Sequence, residues 1–308
     1  MSKYKEIDLS SLKRYSVAKR NCKVQSGDFA KAGKVDVHAF IDSLPDILKA
    51  KDFKDLISAC EKAKIRGKAI IIGLGGHVIK CGLAPLIIEL LENSCVSAFS
   101  VNGSVLIHDF EIAMYGKTSE DVASALSDGS FGMAIETADI INGIICDAYG
   151  RGEGIGEALG AYLLQHAAYP ELSLIVNAAK NNIPLCAHIA IGTDIIHQHA
   201  SANGAAIGEC SLRDFRILCE VIKEIDEGGV YLNFGSAVIL PEVFLKALTV
   251  ARNVYGKVEN FSTAVFDMNI QYRSVENVMR RPVGNGGNGY YFVGHHEIMI
   301  PLLIKALL

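Results

Sequence analysis

Two short clusters of histidine and acidic residues have the residue types that catalysis or metal binding requires. Asp194, His197 and His199 form a D-x-x-H-x-H stretch just past a predicted strand. Carboxylate and imidazole together suit zinc, manganese or iron, and an H-x-H pair on an extended chain lies on one face. The spacing matches no zincin or zinc-finger pattern, so caps, interface contacts and hydrogen bonds to a substrate stay open as roles. The second cluster, expected on the substrate side, consists of His295, His296 and Glu297.

His108 and Asp109 form a third candidate pair. A histidine beside a carboxylate can act as a base that is held in one tautomer. Adjacent positions on a helix do not face each other, so one side chain could point into a cleft while the other caps a helix. We expect at least one of the two to be functional. No G-x-S-x-G segment occurs, which argues against a Ser-His-Asp hydrolase.

Glycine and small polar residues follow most of the predicted strands. Glycine lets backbone N–H groups approach a ligand closely, and a following helix N-terminus favours a phosphate. A dinucleotide or another phosphorylated ligand is therefore expected beyond the carboxyl ends of the strands. The segment GLGGHV (73–78) has the first two glycines of the dinucleotide fingerprint but Val78 at the third. The strand ends concerned are Gly73–His77, Val101–Ser104, Gly192–His199, Asn233–Ser236 and Asp267–Gln271.

The elements that must position these residues alternate between short apolar strands and helices. Runs of β-branched and apolar residues predict strands over 68–76, 96–104, 184–194, 230–236, 262–269 and 289–294. Helical spacing predicts helices over 44–65, 77–92, 105–115, 118–126, 211–228, 241–252 and 295–308. Pro85 is expected to kink the second helix, and Thr118, Ser119 and Glu120 to cap the fourth.

Most of these strands are almost entirely apolar, which indicates a parallel sheet with helices on both faces, an α/β fold. The glycine-rich segment 150–160 follows a helix and predicts a hinge between two helices. We expect an N-terminal arm over 1–43 and a single α/β domain over 44–308.

Composition excludes several classes of protein. The chain has 308 residues, of which 50% are hydrophobic, so it has ample apolar surface for a core. Its net charge of −4 gives no basic excess, and no nucleic-acid partner is expected. The mean hydropathy of +0.26 predicts strands buried on both faces and a homo-oligomer.

The N-terminus has no apolar segment of the kind found in secretory signals, and the apolar stretches of about ten residues are too short to span a bilayer. No membrane partner is therefore expected. The eight cysteines contain no C-x-x-C pair. Buried, reduced thiols and a cytoplasmic location are expected.

The segment FSVNGSVLIHDFEIAMYG (99–116) resembles the TGAN-x-x-HD-x-x-E-x-x-G region of deoxyhypusine synthases and their bacterial relatives. Looser similarity extends over about 68–308, including NNIPLCAHIAIGTD, VYLNFGSAVI and FSTAVFDMNIQ. The resemblance implies a Rossmann-like, NAD-binding transferase fold and a homotetramer. Carried over residue by residue, it implies that the cofactor cleft contains Gly75, Gly76, Asn102, Gly103, Ser104, His108, Asp109, Asp194, Gly235 and Ser236.

The sequence departs from that family where its nucleophilic lysine belongs. The corresponding segment, SVENVMRRP (274–282), contains no lysine, and the chain has no tryptophan. A covalent imine requires a lysine amine, and the guanidinium of Arg280 or Arg281 cannot replace it. We therefore expect NAD-dependent hydride transfer on an amine or alcohol rather than deoxyhypusine synthesis.

In this scheme His108 is a base or contacts the ribose, while Asp109 orients it or binds a cationic substrate. His197 and His199 would lie on the substrate side as catalytic groups. Two alternatives remain open. One is a metal-dependent hydrolase or lyase that uses Asp194, His197 and His199, and the other is a non-catalytic assembly protein of the family.

Overall fold

The computed structural model describes residues 9–28 and 37–308. The expected N-terminal arm over 1–43 therefore lies partly outside the described residues, at 1–8 and 29–36. Its boundary with the α/β domain stays a prediction. No helix in the described ranges is both long and apolar enough to cross a membrane.

The described chain forms eight strands. They are β1 (Cys22–Gln25), β2 (Ile70–Leu74), β3 (Ala98–Asn102), β4 (Lys117–Glu120), β5 (Leu185–His188), β6 (Val230–Phe234), β7 (Ser262–Asp267) and β8 (Asn288–Val293). Strands β1 and β4 pair with each other in an antiparallel ladder, so the segment before the main domain is joined to it by backbone hydrogen bonds. The other six strands form one sheet.

The six-stranded sheet has the order β5-β3-β2-β6-β7-β8, and every neighbouring pair is parallel. Counted along the chain, this is the doubly wound order 3-2-1-4-5-6 of dinucleotide-binding folds. The direction of winding reverses between β2 and β6. Ligands of such sheets bind in the crevice beyond the carboxyl ends of the strands at this switch point.

Helices cover the sheet. They are α1 (His38–Ser43), α2 (Leu48–Ile65), α3 (Gly76–Lys80), α4 (Ala84–Glu92), α5 (Gly103–Tyr115), α6 (Val122–Leu126), α7 (Ile135–Arg151), α8 (Ile155–His166), α9 (Leu174–Lys180), α10 (Gly204–Ile222), α11 (Ile239–Tyr255), α12 (Tyr272–Ser274) and α13 (His296–Leu307). A π-helical turn, Val275–Arg280, continues α12.

Successive side chains of the strands enter two different cores. Ile70 and Ile72 of β2 pack into a core beneath α2, α4, α5 and α13, whereas Ile71 packs into a second core beneath α11 and the end of α10. All residues of β2 and β6 are buried. The predicted α/β fold, with a Rossmann-like parallel sheet between two layers of helices, is confirmed.

The helices predicted over 77–92 and 118–126 have different bounds in the structure. The helix expected over 77–92 is two helices, α3 and α4, and Pro85 lies in the first turn of α4. Proline is tolerated there because a first-turn N–H has no intrahelical acceptor. The helix expected over 118–126 begins only at Val122, after the Asp121 cap. Thr118 belongs to β4 instead, because β1 supplies the strand's hydrogen bonds from a distant part of the chain.

The amphipathic helix expected over 211–228 begins earlier, at Gly204, and ends at Ile222. Its true start is set by Asn203, whose side chain accepts hydrogen bonds from the N–H groups of Ala205 and Ala206. Within the segment 150–160, where a hinge is predicted, the structure has a break between two helices: Gly152 ends α7 in the left-handed conformation and Gly154 caps α8.

Candidate functional site

Gly75 and Gly235 lie in contact at the switch point of the sheet. A Cβ atom placed on Gly75 would stand 2.1 Å from the carbonyl oxygen of Gly235. Gly75 N–H donates to the Phe234 carbonyl (2.8 Å), and Gly235 N–H donates to the Phe266 carbonyl (3.0 Å). The turns that follow β2 and β6 are therefore packed backbone against backbone, which requires glycine.

The turns that follow β2 and β3 are equally close. A Cβ atom on Gly76 would stand 2.3 Å from Ser104 Oγ, and one on Gly103 would stand 2.0 Å from Asp194 Oδ2. The sheet thus brings the glycines and Asp194 together along one edge, from the switch point to the turn after β5.

The N-terminus of α5 lies on this edge. Asn102 Oδ1 accepts hydrogen bonds from the Val105 N–H (3.2 Å) and from Ser104 Oγ (2.9 Å). The N–H groups of Gly103 and Ser104, in the first turn, have no intrahelical acceptor. With the dipole of a 13-residue helix behind them, they favour an anionic ligand.

A cavity of about 200 Å³ adjoins this helix terminus. We call it the His108 cavity. Its lining comes from α3, α5, the turn after β5, and the segment around β4. The lining residues are Arg20, Lys80, Ser104, Ile107, His108, Glu111, Ser119, Glu120, Val122, Phe131, Thr193, Asp194 and Ile195.

Burial controls the charge of the two central groups of the His108 cavity. It lowers the pKa of His108 to about 4, and the nearby Lys80 and Arg20 act in the same direction against Glu111. Burial raises the pKa of Asp194 to about 6. At neutral pH the imidazole is therefore uncharged, while the carboxylate is mostly ionised. Asp194 Oδ2 is buried and has no hydrogen-bond partner among the described residues, so it is available to a ligand.

Asp109 does not share the cavity with His108. It is fully buried and accepts hydrogen bonds from Ser173 Oγ (2.5 Å), Leu174 N–H (2.7 Å) and Ile175 N–H (3.1 Å) at the start of α9. Asp109 forms no hydrogen bond with His108, and its expected role beside His108 or towards a substrate stays a prediction without a supporting contact. Adjacent residues of α5 point in different directions, and of these two residues only His108 lines the cavity.

The imidazoles of the D-x-x-H-x-H segment do not point towards a common site. His197 Nδ1 accepts hydrogen bonds from Gly192 N–H (3.1 Å) and Asp194 N–H (3.3 Å), and so it holds the turn after β5. His199 is buried, and its Nε2 donates to the Gly132 carbonyl (2.8 Å). Neither imidazole lines the His108 cavity, and their expected catalytic role stays a prediction. In the described ranges no group of three or more His, Cys, Asp or Glu residues could hold a metal ion.

The two C-terminal histidines, His295 and His296, lie in different environments. His296 is buried against Gly235, and its Nε2 donates to the Phe266 carbonyl (3.2 Å). It therefore packs against the turn after β6, at the switch point. His295 is exposed at the start of α13, with its Nδ1 3.7 Å from Glu297 Oε1. The His77 ring lies 5.6 Å from that of His296, between centroids. These residues lie beside the β2 turn, and none of them lines the His108 cavity.

Ser236 acts mainly as a cap. It is buried, and its Oγ accepts a hydrogen bond from the Leu240 N–H (3.2 Å) at the beginning of α11. Its carbonyl accepts from Asn233 Nδ2 (2.9 Å). Asn233 Oδ1 is left buried without a partner in the described chain, which adds a polar atom that the sequence did not single out.

The sequence does not single out two residues that line the His108 cavity, Lys80 and Glu111, or Thr118, which contacts His108. Lys80, at the end of α3, lines it and forms no ion pair with any described residue. Glu111 lies three residues after His108 on the same helix, a spacing that could have indicated a shared face. The sequence places Thr118 in a helix cap and does not predict its hydrogen bond with His108 Nδ1 (2.8 Å).

A larger, mostly apolar cavity of about 410 Å³ lies at the amino end of β5. Its buried carboxyl group, Asp214, accepts hydrogen bonds from Gly156 N–H (3.1 Å) and Ala187 N–H (2.9 Å). Because that carboxyl group is already satisfied by the fold and lies away from the carboxyl ends of the strands, we place the candidate site at the smaller His108 cavity.

No family model and no curated protein matches the sequence. Among solved structures, the chain is similar to ArgZ, an arginine dihydrolase from the ornithine-ammonia cycle in Cyanobacteria, with 19% identity, a TM-score of 0.51 and 85% of this chain covered. It is similar to AgrE in a ternary complex with ornithine and NAD+, with 13% identity, a TM-score of 0.51 and 83% covered. It covers about one third of ArgZ (33%) and AgrE (32%).

A putative deoxyhypusine synthase from Entamoeba histolytica is similar over nearly its whole length. The match has 12% identity and a TM-score of 0.50, and it covers 89% of this chain and 96% of that one. At these identities the similarity shows the fold, a Rossmann-like sheet shared with a protein solved in complex with NAD+.

Proposed function

We propose that this protein binds NAD along the carboxyl edge of its sheet and uses it for hydride transfer with an amine or alcohol. The observation that carries the proposal is the doubly wound strand order, with Gly75, Gly103 and Gly235 gathered on the edge where such folds bind dinucleotides. Support comes from AgrE, a protein of similar fold that was solved with ornithine and NAD+.

The residues on this edge fit a dinucleotide. The N–H groups of Gly103 and Ser104, which have no intrahelical acceptor, would hold a phosphate at the start of α5. The unpartnered oxygens of Asn233 and Asp194 are suited to hydroxyl or ammonium donors, as on a ribose or an amine. When bound, NAD would supply the hydride acceptor or donor that no side chain can provide.

The His108 cavity would hold the reacting group of the substrate. Uncharged His108 would accept the proton that an alcohol or amine loses, because its pKa of about 4 leaves a free lone pair at neutral pH. The Asp194 carboxylate would stabilise a cationic substrate. Lys80 adds a positive charge that would hold an anionic group of either ligand.

The proposed reaction is not deoxyhypusine synthesis. The segment where that family has its nucleophilic lysine is here α12 and the π-helical turn, which contain arginine but no lysine. Lys80 reaches the cavity from α3, a different element at the other side of the switch point. The metal-dependent alternative is not retained, because Asp194, His197 and His199 do not form a group that could hold a metal ion within the described ranges.

Calorimetry with NAD on the full chain tests the proposal. We expect saturable binding, and we expect Gly103→Ala to weaken it by at least about tenfold, since the new Cβ would displace the Asp194 carboxylate. Gly143→Ala is the matched control, because nothing lies within 4 Å of its Cβ position. Absence of both heat and a thermal shift at saturating NAD would contradict the proposal.

We also propose a homo-oligomer, a tetramer by analogy with the family that the sequence resembles. Large apolar side chains are exposed on several elements, among them Ile65, Leu164, Ile191 and Ile270. Light scattering at micromolar concentration checks this, and a monomer would contradict it. All eight cysteines are free, in keeping with the proposed cytoplasmic location.

A further inference from the structure

A buried chain of polar groups lies directly behind His108. Arg20 Nη2 donates to Glu111 Oε2 (2.5 Å), and Thr118 Oγ1 lies 2.5 Å from the same oxygen. Thr137 Oγ1 donates to the other oxygen, Oε1 (2.9 Å). All four side chains are at most 7% exposed, so water does not compete for these bonds.

The position of each proton in this row of hydrogen-bonded side chains follows from which groups can donate and which can only accept. Glu111 pairs with a guanidinium, which stays protonated, so its carboxylate can only accept. Thr118 has a single hydroxyl proton, and at 2.5 Å from Glu111 Oε2 that proton must lie between the two oxygens. Otherwise two lone pairs would face each other in a dry environment.

The same hydroxyl therefore has only a lone pair left for His108. His108 Nδ1 lies 2.8 Å from Thr118 Oγ1, and a hydrogen bond of this length needs one proton. With the threonine proton directed at Glu111, the proton of the second bond must be on Nδ1. The other ring nitrogen of an uncharged imidazole then carries the lone pair.

We propose that Arg20, Glu111 and Thr118 fix His108 as the Nδ1–H tautomer and so present the Nε2 lone pair to the His108 cavity. Within the described ranges Nε2 has no hydrogen-bond partner, which leaves it to a ligand. A group that contacts it must donate a proton, as a hydroxyl or an ammonium does, whereas a carbonyl, carboxylate or phosphate oxygen would be repelled. Thr118 is thus a positioning residue, and through His108 it selects a ligand group that donates a hydrogen bond.

The charges around His108 agree with an uncharged imidazole. Burial is the main cause of its low pKa, and Lys80, Arg20 and His77 lower it further, while Glu111 alone opposes them. The negative charge of Glu111 is neutralised by Arg20, so it orients the threonine hydroxyl without drawing a second proton onto the ring.

Nitrogen-15 NMR of histidine-labelled protein distinguishes the two tautomers, because a protonated and an unprotonated ring nitrogen have well-separated resonances. The His108 signals are assigned by their disappearance in His108→Gln. We expect a protonated Nδ1 and an unprotonated Nε2 in the full chain near neutral pH. A protonated Nε2 would overturn the proposal, and this measurement needs no altered network.

Three threonine variants test the role of the hydroxyl. Thr118→Val removes it at nearly constant volume, and we expect the single-tautomer pattern to be lost, with both forms present. Thr118→Ser restores the hydroxyl and should restore the pattern. Thr137→Val is the matched control, since it removes an equally buried bond to Glu111 without touching His108.

An unchanged pattern in Thr118→Val, or an equal loss in Thr137→Val, would overturn the assignment of Thr118. If Thr118→Val does not fold, the parent and Thr118→Ser spectra still decide, because a mixed pattern in both would contradict the proposal. None of these outcomes depends on NAD, so failure of this inference and failure of the proposed cofactor are distinguishable.

Discussion

Replacing Gly75 with alanine adds one methyl group at the most crowded point of the switch region. Its Cβ would stand 2.1 Å from the Gly235 carbonyl oxygen and 2.7 Å from the carbonyl carbon. The backbone of Gly75 is in the extended region, with φ −89° and ψ 155°, which alanine adopts without strain. The effect of the substitution is therefore steric, and the two turns must separate by roughly 1 Å.

The loss of stability can be estimated from the steric overlap and from the hydrogen bonds that join the two turns. Overpacking of this kind costs about 1–3 kcal/mol. Separation also weakens the hydrogen bonds of Gly75 to Phe234 and of Gly235 to Phe266, each contributing about 1 kcal/mol net. We expect Gly75→Ala to lower the free energy of unfolding by about 2–4 kcal/mol and the Tm by about 3–6 °C.

A glycine-to-alanine substitution at an uncrowded position should instead raise the free energy of unfolding. Gly143 is exposed in α7 and has nothing within 4 Å of its Cβ position. Alanine there removes backbone entropy from the unfolded chain, so Gly143→Ala should raise the free energy of unfolding by about 0.5–1 kcal/mol.

Urea unfolding of both variants, followed by circular dichroism at one fixed protein concentration, measures the difference. If Gly75→Ala unfolds at the parent's midpoint while Gly143→Ala is stabilised, the turns after β2 and β6 are not in contact. The geometry proposed for the cofactor edge would then be refuted.

Three other predictions follow from the site. Asp109→Ala should cost about 3 kcal/mol of stability through its three lost hydrogen bonds, more than the loss of the exposed cap in Asp121→Ala. It should leave the His108 tautomer unchanged, and an altered tautomer would contradict the assignment of Asp109 as a cap of α9. The pKa of Asp194 is raised by burial from 3.8 to about 6, so the stability contributed by its acid form is present below about pH 4 and lost as pH rises to about 6. Asp194→Asn should therefore match the parent near pH 3 and be more stable than the parent by about 3 kcal/mol at pH 7. A difference in stability that does not change across this pH range would count against the raised pKa of Asp194, whose Oδ2 is buried without a partner in the described chain. Thiol titration in denaturant without reductant should find eight free thiols, and a substantially lower number would contradict the reduced state of the cysteines.

The sequence by itself determined the alternation of elements and the character of the sheet. Strands such as Ile70–Leu74 are apolar at every position, and only a parallel sheet covered on both faces buries all of them. The glycines after β2, β3 and β6 were also visible, and the chemistry of parallel strand ends predicted that they would share an edge. These features depend on local sequence and on general rules of packing.

Tertiary structure alone decided which candidate side chains face the site. Asp109 caps α9 through Ser173, which lies 64 residues further along the chain, and Arg20 reaches Glu111 across 91 residues. Thr118 became a strand residue because β1 paired with it, and that pairing turned its hydroxyl towards His108. Hydrogen-bond partners so far apart along the chain leave no local signal, because the energy that selects them exists only once the elements have packed.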